Sequence, residues 1–168
     1  MDYVQHYASP LGGITLSSDG EALTGLWFDG QKHFGSTLSA GFQEADLPVF
    51  DLARQWLDIY FSGREPDFTP PLHLIGSPFR KAVWDVLRTI PYGCTVTYGE
   101  IAARLSTGSA TDSGPSCRTL ARAVGSAVGH NPVSLIIPCH RVVGAGGRLT
   151  GYASGLPNKS YLLNLESR

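Results

Sequence analysis

The chain is poor in cysteine. Three occur in 168 residues, at positions 94, 117 and 139. An odd number without regular spacing argues against a disulfide framework and for a reducing compartment. The first half has no cysteine and the five histidines are scattered, so no metal-ligand cluster can be drawn and no metal is expected. No apolar run approaches the roughly 18 residues of a membrane span, so no membrane partner is expected. The segment from Met1 to His6 lacks a basic region and an apolar stretch. No secretory signal is therefore expected, and the expected location is cytoplasmic. Charge is also scarce: 16% of residues are Asp, Glu, Lys or Arg, with a net charge of −1. What remains, with 42% hydrophobic residues, is a globular composition with enough apolar material for a sizeable core in one or two domains.

The near-zero net charge hides an asymmetry. Residues 1–76 hold three Lys and Arg against ten Asp and Glu, a net of −7, and residues 77–168 hold ten against four, a net of +6. A basic C-terminal part can meet phosphate while an acidic N-terminal part faces away. An accidental asymmetry between two domains would read the same way. A boundary near residue 76 divides the chain into an N-terminal scaffold (1–76) and a C-terminal part (77–168).

Alternation and turn residues predict short strands over 4–8, 13–17 and 23–28, separated by Pro10–Gly13 and Asp19-Gly20, and so a small antiparallel sheet. Residues 30–45 are polar and Gly-rich, and read as a loop. Apolar residues at helical spacing predict a helix over 47–61, ended by Gly63. Pro70-Pro71 mark an extended linker. Ser77 before Pro78 is an N-cap signal for a helix to about 89. Two further helices, 98–105 and 116 or 117 to about 128, flank a connection and suggest a helix-turn-helix. Residues 142–151 read as a hairpin-like passage, and 157–166 as a closing helix. The fold class is α+β, with no candidate catalytic group in the first part.

The stretch that carries chemistry is Asn131-Pro132-Val133-Ser134-Leu135-Ile136-Ile137-Pro138-Cys139-His140-Arg141. It reads as an apolar strand over 133–137, stopped by a proline that has no N–H to donate. A cysteine after such a run is ordinarily a small buried hydrophobe. The immediate His-Arg favours a nucleophile instead, because nearby cations stabilise the thiolate. Adjacent residues of an extended chain point to opposite faces, so a Cys139–His140 contact would need a tight turn or a bridging water.

Asn131-Pro132 and Ile137-Pro138-Cys139-His140-Arg141-Val142-Val143 together resemble the active-site signature of the O6-alkylguanine-DNA alkyltransferases. Pro91-Tyr92-Gly93 and Thr97-Tyr98-Gly99-Glu100-Ile101-Ala102 resemble that family's segment ahead of its DNA-binding helix. Ala121-Arg122-Ala123-Val124-Gly125 resembles the helix itself, and Gly151-Tyr152, Leu162, Leu163 and Glu166 fit the C-terminal part. The resemblance implies a ribonuclease H-like N-terminal domain, a helical C-terminal domain with an active-site cysteine loop, and no cofactor. Some relatives carry zinc in the N-terminal domain, and this chain has no cysteine there to build that site.

The resemblance also implies roles. Cys139 would take the alkyl group from O6 of a flipped guanine, with O4-alkylthymine as another candidate substrate. One molecule would be consumed per lesion. His140 would deprotonate Cys139 through water, Glu166 would orient His140, and Tyr98 would supply a proton or hydrogen bond to the leaving base. Arg122 would fill the gap in the duplex. Ala121, Ala123, Gly125 and Ser126 would let the helix approach the minor groove. Asn131 would tie helix to loop, Tyr152 would line the pocket, and backbone groups of Cys139, Val142 and Ala153 would read the base. On residue type alone, Tyr98 reads equally as a core tyrosine, Arg122 as a surface arginine and Glu166 as a carboxylate near a chain end. Double-stranded DNA is the expected partner, bound by a monomer.

Departures from the family pattern are Ser134 where many relatives have proline, Thr150 where some have glycine, Ala153 where some have serine, and a long connection over 106–117. The first three bear on substrate range, the last on DNA approach. A thiol hydrolase using Cys139, His140 and Glu166, and a lesion-binding helix-turn-helix protein without chemistry, are the alternative readings.

Overall fold

A computed structural model describes residues 1–106 and 117–167. Asp2–Ser9 (β1), Gly12–Ser18 (β2) and Leu23–Phe28 (β3) form an antiparallel meander. The first turn is tight because Gly12 takes φ +104°, a region open to glycine. The expectation of a purely antiparallel sheet fails at one edge. Within the segment read as a loop, Phe42–Glu44 (β4) pairs parallel to β1, and the sheet order is β3-β2-β1-β4. Three exposed polar or aromatic residues give no alternation to read; pairing to an open edge makes them a strand.

One face of the sheet is covered by Pro48–Phe61 (α1). Its Pro48 starts the helix, Asp51 lies in the first turn, and Val49, Phe50, Ala53, Trp56, Leu57 and Tyr60 form the inward stripe. Gly63, at φ +88°, ends it by donating to the Tyr60 carbonyl.

The C-terminal half opens with Pro78–Leu87 (α2), where Ser77 Oγ accepts from the Arg80 N–H, a cap worth about 1 kcal/mol. Val96–Thr97 (β5) leads into Tyr98–Ser106 (α3). Thr97 and Glu100 cap that helix reciprocally at 3.1 Å each, a pattern legible in Thr97-Tyr98-Gly99-Glu100. Cys117–Gly129 (α4) packs on α3 and is pinned to α2 by the buried bond from Trp84 Nε1 to the Ala127 carbonyl at 2.9 Å. Apart from its ends, the connection between α3 and α4 lies outside the described residues. Val142–Val143 (β6) pairs parallel with β5, so residues 142–151 are not a two-stranded hairpin; the Gly144 N–H to Arg148 carbonyl bond only closes a turn. Leu156–Glu166 (α5) closes the chain.

The expected strand over 133–137 is absent. Val133 and Ser134 make one short bridge to β3: the Leu26 N–H donates to Pro132 O at 2.8 Å and the Ser134 N–H donates to Leu26 O at 2.9 Å. The chain then reverses. Leu135 takes φ +71°, and the Ile137 N–H returns to Val133 O at 3.1 Å. A left-handed leucine costs roughly 1–2 kcal/mol. Burial of Leu135, at 1% exposure, offsets a cost of that size. The apolar run reflects burial on all sides, which a tight turn wedged between the two halves satisfies as well as a strand does. The outer edge of β3 is thus covered by this turn at Leu26 and by the linker at Leu23, where Pro71 O and His73 N bond. A sheet edge left bare would invite foreign strands; here it holds the segment leading to Cys139. One hydrophobic core runs from Ile14 and Leu26 through Trp84 and Val124 to Ile137 and Leu165, spanning both halves.

Candidate active site

Cys139 opens a single turn of 3-10 helix, Cys139–Arg141, all three residues buried. Its side chain borders a cavity of about 180 Å³ also lined by Tyr98, Gly125, Asn131, Ser134, Tyr152 and Ala153. A cavity near 150 Å³ can hold benzene, so this space is on the scale of one flat ring system. Asn131 organises the loop: its Nδ2 donates to the Ile137 carbonyl at 2.7 Å, and its Oδ1 accepts from the Val133 N–H at 3.0 Å. The end of α4 is thereby tied to the residues before the cysteine.

The cation near the sulfur is not the one the sequence suggests. Burial pushes the Cys139 thiol up; Asn131, Lys159 and Tyr152 pull it partly back. Arg141 is committed elsewhere, with Nε on Glu166 Oε1 at 2.8 Å, Nη2 on Glu166 Oε2 at 3.2 Å and Nη1 on the Ile90 carbonyl at 2.7 Å. Lys159, fully buried, points its Nζ at the carbonyls of Thr150 (2.7 Å) and Gly151 (3.1 Å). Burial lowers its pKa and the Cys139 charge raises it, so the two groups favour each other's ionised forms. The sequence offered no sign of this, since one lysine in a short helix reads as surface.

His140 Nε2 lies 2.5 Å from Glu166 Oε2, and both side chains are sealed from solvent. An imidazole that gives Nε2–H to a carboxylate leaves Nδ1 as the bare nitrogen, and Nδ1 makes no hydrogen bond here. Burial lowers the His140 pKa against the pull of Glu166, so the ring is held neutral. Burial would raise Glu166, but bonds and charge from His140 and Arg141 outweigh it and hold the carboxyl at about 2. Two further donors complete the carboxylate: the Tyr60 hydroxyl at 2.7 Å and the Gly93 N–H at 3.1 Å. Glu166 is therefore a fixed interior group, 5% exposed, although it stands near the end of the chain. Lys159 and Glu166 are seven residues apart on α5, two turns along one face, with Leu162 between them in the core.

Tyr98 borders the cavity and reaches the Thr150 carbonyl at 3.5 Å; burial raises its hydroxyl pKa. Its ring lies against Gly125, where an added Cβ would come 3.9 Å from it. The Tyr152 hydroxyl is buried with no hydrogen-bond partner of normal geometry, facing the Cys139 sulfur. Arg122, Ala123 and Ser126 are exposed on α4, Ala121 is half-buried, and Val124, Ala127 and Val128 face the core. Over residues 121–126 this leaves a low outer surface bearing Arg122.

Val142 is buried, its N–H bonds to the Cys139 carbonyl, and its strand pairs with β5. Thr150 contributes its carbonyl, while its methyl is turned to Gly144. The N-terminal part, read as having no group at the site, reaches it twice. Tyr60 touches Glu166, and Lys32 and His33 border the cavity. The Lys32 N–H holds the Ala153 carbonyl at 3.0 Å, and the His33 ring stacks on His130 at 3.8 Å.

Comparison with known proteins covers both halves. Residues 78–168 match the model of the 6-O-methylguanine DNA methyltransferase DNA-binding domain, and residues 3–74 match that of its ribonuclease-like domain. The methylated-DNA–protein-cysteine methyltransferase of Haemophilus influenzae is 39% identical over 98% of this chain and 86% of its own length. That of Methanosarcina acetivorans is 40% identical over 98% and 97%. The crystal structure of Mycobacterium tuberculosis OGT in complex with DNA superposes with a TM-score of 0.83 at 40% identity, covering 98% of this chain and 92% of that one. A buried cysteine, histidine and glutamate set in one core with a ribonuclease-like half, and sequence identity near 40% along almost the whole length, carry the same conclusion: the chain belongs to the 6-O-methylguanine DNA methyltransferase family.

Proposed function

We propose that the protein repairs DNA by direct reversal, moving the alkyl group of O6-alkylguanine irreversibly to Cys139. The observation that carries this is the placement of Cys139 on the wall of a ring-sized cavity, next in the chain to a buried His140 held by Glu166, with the Lys159 charge acting on the thiol. The thiol proton passes through a water to Nδ1 of His140. The sulfur attacks the alkyl carbon, the S–C bond forms and the C–O6 bond breaks. The departing guanine receives a proton or strong hydrogen bond from the Tyr98 hydroxyl. Nothing in the site hydrolyses a thioether, so each molecule acts once. No cofactor enters the reaction.

DNA is met by the exposed Arg122, Ala123 and Ser126 face of α4, with Ala121 and Gly125 as its close-packed flanks. Arg122 occupies the space vacated by the extruded nucleotide, whose unstacking costs a few kcal/mol or so. Residues 1–76 hold the chemistry in place and residues 77–168 perform it, as a monomer on double-stranded DNA. The test is intact-protein mass after incubation with excess O6-methylguanine duplex. One methyl is expected per chain, mapped to Cys139, after which transfer stops. Turnover beyond one equivalent, or a methyl on Cys94 or Cys117, refutes the reading. An acyl adduct would favour a thiol hydrolase instead.

A further inference from the structure

Glu166 Oε2 is shared. It receives His140 Nε2 at 2.5 Å, the Tyr60 hydroxyl at 2.7 Å and Arg141 Nη2 at 3.2 Å, and Tyr60 Oη also lies 3.3 Å from His140 Nε2. Tyr60 comes from α1, in the half that otherwise packs the sheet. Its ring is fully buried, stacked on Trp56 at 5.2 Å and edge-on to Tyr92 and His140. Phenylalanine would fill the same space. The hydroxyl is therefore not explained by packing, and it is aimed at the atom that orients the imidazole.

We propose that Tyr60 is a positioning residue for alkyl transfer: by sharing Glu166 Oε2 with His140, its hydroxyl keeps the imidazole neutral and turned so that Nδ1 serves Cys139. The role rests on the reading of His140 as the base. A carboxylate that accepts several donors spreads its charge among them and draws less on each. Without the Tyr60 hydroxyl, Glu166 would lean harder on His140 and make the ring more basic. More of it would then be protonated at mildly acidic pH, when it cannot accept the thiol proton. The charged and titratable groups facing this cluster are Arg141 in the same turn as His140, Tyr92 beside the Gly93 turn, Lys159 on α5, Cys139, and Tyr152 opposite it.

The experiment compares wild type with Tyr60→Phe in single-turnover transfer from O6-methylguanine duplex across mildly acidic to alkaline pH. The expected result is an acid limb moved upward by about half a pH unit, with duplex affinity unchanged. A uniform rate loss with an unmoved limb would make Tyr60 a packing residue and overturn the proposal. If Tyr60→Phe does not fold, fluorotyrosine at position 60 replaces it. That residue is a stronger donor of nearly the same shape, so the limb should move downward, and an unmoved limb again overturns the proposal. Nitrogen chemical shifts of the His140 ring, followed with pH, read the same change without any transfer. If wild type transfers nothing while the ring titration still moves, the proposed reaction fails and the Tyr60–Glu166–His140 coupling stands.

Discussion

A buried ammonium is unfavourable unless a negative charge lies near it. Among the described residues Lys159 has no carboxylate partner; its Nζ bonds two carbonyls, and the Cys139 charge favours its ionised form. Its charge is thus aimed at the thiolate, and the Cys139 proton is easier to remove because Lys159 is there. Lys159→Met keeps the length and apolar stem while deleting the charge. It should raise the Cys139 thiol pKa further and slow transfer about tenfold near neutrality. Thiolate absorbance followed with pH, alongside the transfer rate, measures both. A rate loss without any change in thiol titration would place the lysine's role in holding the Thr150–Gly151 carbonyls.

At the scale of elements, the turn at residues 132–137 decides the site. The buried Ser134 N–H makes one of the two bonds clamping the turn to Leu26 of β3. Proline cannot make that bond. Ser134→Pro should therefore lower stability by about 1 kcal/mol, seen as a lower urea midpoint with an unchanged slope. Unchanged stability would mean that the Leu26 carbonyl finds another donor. The element that lines the cavity from the other side, the Lys32–His33 turn, is likewise held by backbone, through the Ala153 carbonyl and Ser36.

At the scale of the whole molecule, the Glu166 cluster joins the halves: Tyr60 reaches it from α1, His140 and Arg141 from the active-site turn, and Gly93 from the segment before β5. Its ionisation is therefore a property of the folded assembly. His140 is held below its ordinary value of 6.5, and Glu166 is held at about 2 against an ordinary 4.5. Both shifts are downward, so the unfolded chain binds more protons than the folded one, and stability falls as pH falls. Loss should begin below the ordinary histidine value and steepen between the ordinary and folded values of Glu166. Denaturant unfolding at successively lower pH should show this. Glu166→Gln should flatten the lower part of the curve while reducing stability at neutral pH.

Local chemistry in the sequence determined the helices, because caps and apolar spacing act within a few residues. Ser77-Pro78 and the stripe of α1 appear where those signals place them. The run ending in Pro138-Cys139-His140-Arg141 marked Cys139 as the candidate nucleophile, because a thiol beside two groups that favour water is unusual. What the run did not contain was its own shape. An apolar segment buried on every side has no period, and only packing between the sheet edge and the C-terminal helices made it a turn with a left-handed Leu135. The same holds for charge. Which cation acts on Cys139 depends on which one a carboxylate does not hold: Glu166, brought in by the last turn of α5, holds Arg141, and the charge that acts on the thiol is that of Lys159. Two of the N-terminal contributions, Tyr60 and His33, show what tertiary structure alone decided: they lie 80 and 97 residues from their partners, His140 and His130, and no local signal spans that distance.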